Sequence, residues 1–253
     1  MKKLSYLALS IAALPLLSGC EAMSQMASTL PQATPGTTAK GSTISQTEAV
    51  SGIKQALNNG LQNSIKTLSA TNGFFGDAVV KILMPQEAQK VEQALRSVGM
   101  GKLVDNFILS LNRAAESAVK EAAPVFVNAL TKMTVTDAFN ILLGPQQDAA
   151  TNFFKRTTSN ELTQKFSPIV EAALGKNNVS TYWTQLTTAY NNLPIATTKV
   201  ETNLNAYVTQ KAIDGLFVKV ADEELKIRQN IGGSRNSSIL QNVFGWVDQQ
   251  KQK

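Results

Sequence analysis

Apolar residues recur every three or four positions along most of this chain, and from Ser45 onward that spacing predicts helices almost without interruption. Ser45-Gln46-Thr47-Glu48 matches a capping box, in which a hydroxyl and a carboxylate satisfy amide donors at a helix start. Behind it Val50, Ile53, Leu57, Leu61, Ile65 and Leu68 form a narrow apolar stripe, and Asn72-Gly73 breaks the helix. Residues 74–84 are short, apolar and partly β-branched; they read as an extended crossover, not as part of a sheet. Pro85 suits the first position of a helix over 86–98, where its missing amide is not needed. After Gly99-Met100-Gly101 comes a strongly patterned helix over 102–122, with Val104, Phe107, Ile108, Leu111, Ala115, Ala118 and Val119 on one broad side. Pro124 ends or bends it and opens another through Leu130. Thr134 caps a short helix over 137–143, stopped by Gly144-Pro145. The pattern then predicts helices over 148–157 and 159–174, with Pro168 a kink or break, and one over 179–192 stopped by Pro194. The longest runs over 203–230, and a terminal one carries Ile239, Leu240, Val243, Phe244 and Val247.

The 203–230 helix differs from the rest. Between Ala212 and Ala221 its apolar residues, Ile213, Leu216, Phe217, Val218 and Val220, point in nearly all directions. A helix that is hydrophobic all round belongs in the middle of a bundle. The expected fold is therefore all-α, a single compact multi-helix domain over 45–253 packed around this central helix. No internal repeat of fixed period is present, which argues against a solenoid.

The first residues follow a different pattern. Lys2-Lys3 precede an apolar stretch over 4–17, which ends in Leu17-Ser18-Gly19-Cys20. This resembles the lipobox of bacterial lipoproteins, which implies a signal peptide over 1–19 and acylation of Cys20. A membrane-spanning helix needs about 20 apolar residues; this stretch is shorter and contains Pro15. Two or more acyl chains anchor a protein stably to a bilayer. Glu21, where an aspartate would retain the protein in the inner membrane, favours the outer membrane and its periplasmic face. Residues 20–44 form the lipidated terminus and a linker, and 22–43, rich in Ser, Thr, Ala, Gln, Pro and Gly, bury too little to fold. As a coil such a tether reaches about 25 Å.

Composition narrows the chemistry. An exported chain with one cysteine has no thiol left for an intramolecular disulfide, so a core drawn from 43% hydrophobic residues must hold it together. The net charge of +6 is spread among both signs without a block of like charge, and no nucleic-acid surface is expected. There is no histidine. That removes Ser-His-Asp and Cys-His catalysis, histidine-ligated zinc and axial-histidine haem. No calcium loop of the D-x-D-x-D-G type occurs, and no cofactor or metal is expected. Gly99-Met100-Gly101-Lys102 lacks the spacing and the following Ser or Thr of a phosphate-binding loop, and a turn between helices explains its glycines.

Two polar constellations remain. On the 102–122 helix, Asp105, Asn112 and Glu116 line one stripe with Arg113 and Lys120 beside them, and Arg113–Glu116 and Glu116–Lys120 have ion-pair spacing. On the central helix, Gln210, Lys211 and Asp214 interrupt an apolar surface, with Lys211–Asp214 a third candidate pair. Either these tie helices together, because buried charges persist only when partnered, or they line a polar pocket at the junction of the two helices for an anionic or zwitterionic ligand.

Several stretches together resemble a known family: Gly101-Lys102-Leu103-Val104-Asp105 with Asn112-Arg113-Ala114-Ala115-Glu116; Phe154-Lys155-Arg156-Thr157-Thr158; and Tyr207-Val208-Thr209-Gln210-Lys211-Ala212-Ile213-Asp214-Gly215-Leu216-Phe217. They resemble an uncharacterised family of bacterial lipoproteins, domain of unknown function 4197, from about Glu48 to Gly245. The Tyr207 to Phe217 run is the most specific part. The resemblance implies one helical domain behind a lipoprotein leader and adds Arg156 to the candidate ligand-binding residues. It brings no activity or catalytic residue, and the Thr- and Pro-rich tether is longer than the family leads one to expect.

The leading expectation is thus a non-enzymatic lipoprotein of the bacterial outer membrane, lipidated at Cys20, whose periplasmic helical domain binds an envelope protein or a small polar ligand. The competing readings are a membrane-tethered hydrolase or lyase using Asp105, Glu116 or Asp214 with Lys211 or Arg113, and a structural subunit that pairs through its terminal helix.

Overall fold

A computed structural model of the chain describes residues 44–176, 178–192 and 203–252. The expected signal peptide, Cys20, the expected tether up to residue 43 and Pro194 lie outside these residues. The helices in chain order are α1 (Gln46–Ser69), α2 (Gln89–Ser97), α3 (Gly101–Ala118), α4 (Ala122–Lys132), α5 (Val135–Leu143), α6 (Ala149–Lys176), α7 (Val179–Asn191), α8 (Leu204–Gln229) and α9 (Ser238–Gln250). The described residues contain no strand. The fold is all-α.

Helix α8 is the one apolar all round, and α6, α1 and α3 all pack against it. Val208, Ala212, Leu216 and Val220 line one buried side of it, and Ile213 and Phe217 carry the buried surface further round, while Val218 on the remaining side is exposed. Each such aliphatic side chain contributes about 1.5–3 kcal/mol when fully removed from water. Aromatic rings join the layers: Phe126 of α4 meets Phe154 of α6 edge-on at 5.4 Å and Phe217 of α8 at 6.2 Å. The α1 stripe is buried or half-buried along its whole length.

Helix α6 corrects the sequence expectation of two helices. It runs unbroken through the predicted gap at residue 158 and through Pro168. In the gap, the hydroxyls of Thr157, Thr158 and Ser159 donate to the carbonyls of Phe153, Phe154 and Lys155, one turn back. These side chains therefore fold onto the helix and do not cap a new one. Pro168 is exposed, on the side where water can reach the Gln164 carbonyl that its ring leaves unpaired. Phe154, Leu162, Phe166 and Val170, all fully buried, hold the helix across both places.

Smaller differences have equally local causes. The Ser45 hydroxyl accepts from Glu48 N at 3.1 Å, but the Glu48 carboxylate accepts from Asn242 of α9 at 3.4 Å, so the box forms by half. Thr134 and Asp137 form a complete one, and α5 begins at Val135, two residues earlier than expected. The predicted 102–122 helix ends at Ala118 and passes through one tighter turn (Val119–Glu121) into α4, and a similar turn (Gln86–Ala88) precedes α2.

At the start of α6 the Glu224 carboxylate of α8 accepts from Ala150 N at 2.9 Å and from Thr151 N and Oγ1 at 2.8 and 2.9 Å. Arg228 donates to the same carboxylate at 2.6 Å. Amide donors at a helix start and a guanidinium together compensate a charge that is only 6% exposed.

Candidate functional site

The space between α3 and α8, where the sequence suggested an open polar pocket, is occupied by the crossover that joins α1 to α2. Asn72 turns the chain with a positive φ of 66°, and Phe74 drops into the core, fully buried. Phe74 lies against Gly215 of α8, where an added Cβ would come within 2.7 Å of the ring and 3.3 Å of Val80. A residue larger than glycine at 215 would push against the crossover. The reason for a glycine inside the most distinctive stretch of the sequence is thus close approach, not backbone freedom.

Residues 81–84 are extended. Both main-chain polar groups of Ile82 reach one side chain: Ile82 N donates to Asn112 Oδ1 at 2.9 Å, and Asn112 Nδ2 donates to Ile82 O at 2.8 Å. That is possible only when the N–H and C=O of Ile82 point the same way, as they do in a β-strand. Side chains alternate accordingly. Ile82 and Met84 are buried and Leu83 is 57% exposed, while in the turn just before them Val80 is buried and Val79 is 73% exposed.

Glu116, one turn beyond Asn112, accepts from the amides of Phe74 at 3.2 Å and Phe75 at 3.4 Å through Oε1. Its Oε2 takes Arg113 at 2.6 Å, and Arg113 also donates to Asn72 Oδ1 at 2.7 Å. The Glu116–Lys120 pair expected from spacing is replaced by these partners. On the far side Lys219 of α8 pairs with Asp77 at 2.6 Å. That bond holds the Asp77 carboxyl below its ordinary range and raises the Lys219 ammonium above its own. Asn112, Arg113 and Glu116 are therefore spent on clasping the crossover.

What remains open is a groove of about 580 Å³ on the other edge of the crossover. One wall is residues 79–84; the other is a stripe of α8 made by Tyr207, Lys211, Asp214 and Val218, positions that fall on one helix face. Tyr207 closes one point of the seam, its hydroxyl donating to Leu83 O at 3.1 Å. Asp214 accepts from Gln210 Nε2 at 2.9 Å, in place of the expected Lys211 pair. Lys211 Nζ sits 5.9 Å from the Tyr207 ring, and Lys81 Nζ lies 4.1 Å over Phe75. Among the described residues neither lysine has a carboxylate within 4.0 Å.

The other candidates lie elsewhere. Asp105 is exposed and takes Arg96 of α2 at 2.7 Å, which raises the Arg96 guanidinium. Arg156 lines a second recess of about 340 Å³ with Lys132, Asp137 and Glu161. There the Thr134 hydroxyl chiefly, with a smaller push from Arg156, lowers the Asp137 carboxyl. Sequence reasoning missed Tyr207 and the 79–84 wall. Residues 79–84 are apolar except for Lys81, so the alternation of burial along them had no counterpart in the sequence pattern. Among the described residues no group of three or more metal-ligating side chains converges, and no described helix is long and apolar enough to cross a membrane.

A family model described as "Protein of unknown function (DUF4197)" matches residues 43–245. No curated protein and no solved structure matches the chain.

Proposed function

We propose, for a chain that belongs to the DUF4197 family of proteins of unknown function, a role as an envelope lipoprotein whose helical domain captures a ligand or partner in the groove between the crossover and α8. The observation that carries this reading is the groove itself. Exposed Val79, Leu83 and Val218 stand beside two lysines whose charge no carboxylate of the described residues meets at close range. An apolar wall next to a few convergent polar groups is the usual make-up of a binding site. The Leu17 to Cys20 run supports a lipid anchor, and Glu21 after it supports the outer membrane, facing the periplasm. Binding has more support than hydrolysis or elimination. Of the carboxylates an enzyme could use, Glu116 is met by three donors and the exposed Asp105 pairs with Arg96 away from the groove, which leaves Asp214 beside Lys211 in it.

The test is an untargeted mass-spectrometric inventory of what stays bound to the full chain isolated gently from its own envelope, compared between wild type and Lys211→Glu. A molecule lost from the variant supports the reading, and identical inventories overturn it. The same preparation gives the mass of the N-terminal peptide. Acyl chains on Cys20 support the anchor, and an unmodified residue 20 removes it.

A further inference from the structure

The groove wall contributed by residues 81–84 is an extended segment with no strand paired to it among the described residues. Its two edges are treated differently. The edge carrying the Ile82 N–H and C=O is covered by Asn112, whose amide also donates to Ile108 O at 2.7 Å and so is fully used. Because main-chain groups alternate direction along an extended chain, the groups of Lys81 and Leu83 lie on the opposite edge. That edge faces the groove, since Leu83 O is the acceptor for Tyr207 of the opposite wall. On it the Lys81 amide is engaged by Asp77 O at 2.8 Å. The Leu83 amide and the Lys81 carbonyl make no hydrogen bond with the described residues. These two groups flank Ile82 at the spacing that an incoming antiparallel strand meets with residues j and j+2.

We propose that the groove binds an extended acidic peptide, which adds as a strand to the free edge of residues 81–83 and sets a carboxylate against Lys211. The proposal rests on the ligand-binding reading of the groove and names the class of partner. Three features select a peptide. A free donor and a free acceptor two residues apart match a main chain. The outward Leu83, with the exposed Val79 of the preceding turn also lining the groove, offers apolar contact to side chains of the added strand. Lys81 and Lys211 supply positive charge along the groove, whereas Asp214, its one carboxylate among the described residues, already has the Gln210 amide. An acyl-chain carboxylate would use the lysines and the apolar wall but would leave the Leu83 N–H unmet.

The experiment is affinity selection of a synthetic heptapeptide library on the full chain, with mass-spectrometric identification. Affinities of the enriched peptides are then measured against variants, with dodecanoate as a non-peptide probe. Leu83→Pro deletes the N–H while suiting an extended position, and its effect on Ile82 favours the extended state already present. Leu83→Ala keeps the N–H and controls for the side chain. We expect enriched peptides to be acidic and to lose about fivefold to tenfold in affinity with Leu83→Pro but little with Leu83→Ala. Lys211→Glu should cost about tenfold or more, and methylation of the peptide's alternate amides should abolish binding. In ¹⁵N spectra the Leu83 amide should move downfield and slow its hydrogen exchange. Peptides that bind with no response at Leu83 overturn strand addition. Dodecanoate bound in a Lys211-dependent way with no peptide selected overturns it too, while the ligand-binding reading stands. If neither probe shows any dependence on Lys211, both fail together.

Discussion

Asn112 of α3 holds Ile82 as one strand residue holds another, accepting from its amide at 2.9 Å and donating to its carbonyl at 2.8 Å while fully buried. Truncating that side chain strands two main-chain groups in the interior, at about 1–3 kcal/mol each. Asn112→Ala should lower the unfolding free energy by about 2–4 kcal/mol in urea titration. Asn112→Asp keeps the acceptor and loses the donor, so it should also destabilise the fold. A midpoint unmoved by both would mean that the crossover is held by something else.

The approach of α8 to the crossover yields a coupled prediction. Gly215→Ala places a methyl group 2.7 Å from Phe74, and overpacking of this kind costs about 1–3 kcal/mol. In the Phe74→Leu background the same change should cost distinctly less, since the offending ring atoms are gone. The double-mutant cycle measured by chemical denaturation should therefore be non-additive. Strict additivity would place the strain elsewhere.

The Glu224 carboxylate meets the first amides of α6 and Arg228. Removing one member of a buried pair is more damaging than the pair is stabilising. Glu224→Ala should cost about 3–5 kcal/mol in thermal or urea unfolding. Glu224→Gln, which keeps an acceptor for the helix start, should cost clearly less. Equal losses for the two would show that the charge matters and the helix-start acceptor does not.

The Asp77–Lys219 bridge predicts a window of pH. The Lys219 hydrogen bond holds Asp77 below its ordinary 3.8, so its contribution is complete above that value and fades as pH falls through the lower folded one. The same bond raises Lys219 above 10.5, so that contribution is complete below that value and fades as pH climbs through the higher folded one. The stability difference between wild type and Asp77→Asn should be flat from about pH 5 to about pH 9 and shrink at both extremes. Its plateau should be about 1 kcal/mol or less, because both groups are partly exposed. A difference independent of pH at both ends would assign the effect to packing.

The Tyr207 to Phe217 run shows how much of the site could be read in advance and how much could not. Its residue types are conspicuous, with Lys211 and Asp214 as polar interruptions of an apolar helix. Their partners were not legible. Helical spacing admits several pairings at comparable energy, and the choice of Gln210 for Asp214, or of Arg113 over Lys120 for Glu116, follows from which face meets a neighbour. The same limit applies at residue 158 and at Pro168, where local signals for a break were overridden by Phe154, Leu162, Phe166 and Val170 packing in one continuous line.

The sequence by itself determined the helical class, nearly all the helix starts and the central place of α8, because each of these depends on the periodicity of side chains within one segment. Only the tertiary structure decided that the crossover fills the space between α3 and α8, that Asn112 and Glu116 are consumed in holding it, and that a groove remains on its other edge. Those outcomes join residues about 30 to 140 positions apart along the chain, as Ile82 with Asn112 and Asp77 with Lys219. Contacts at such separation arise from packing between elements, which no local pattern encodes.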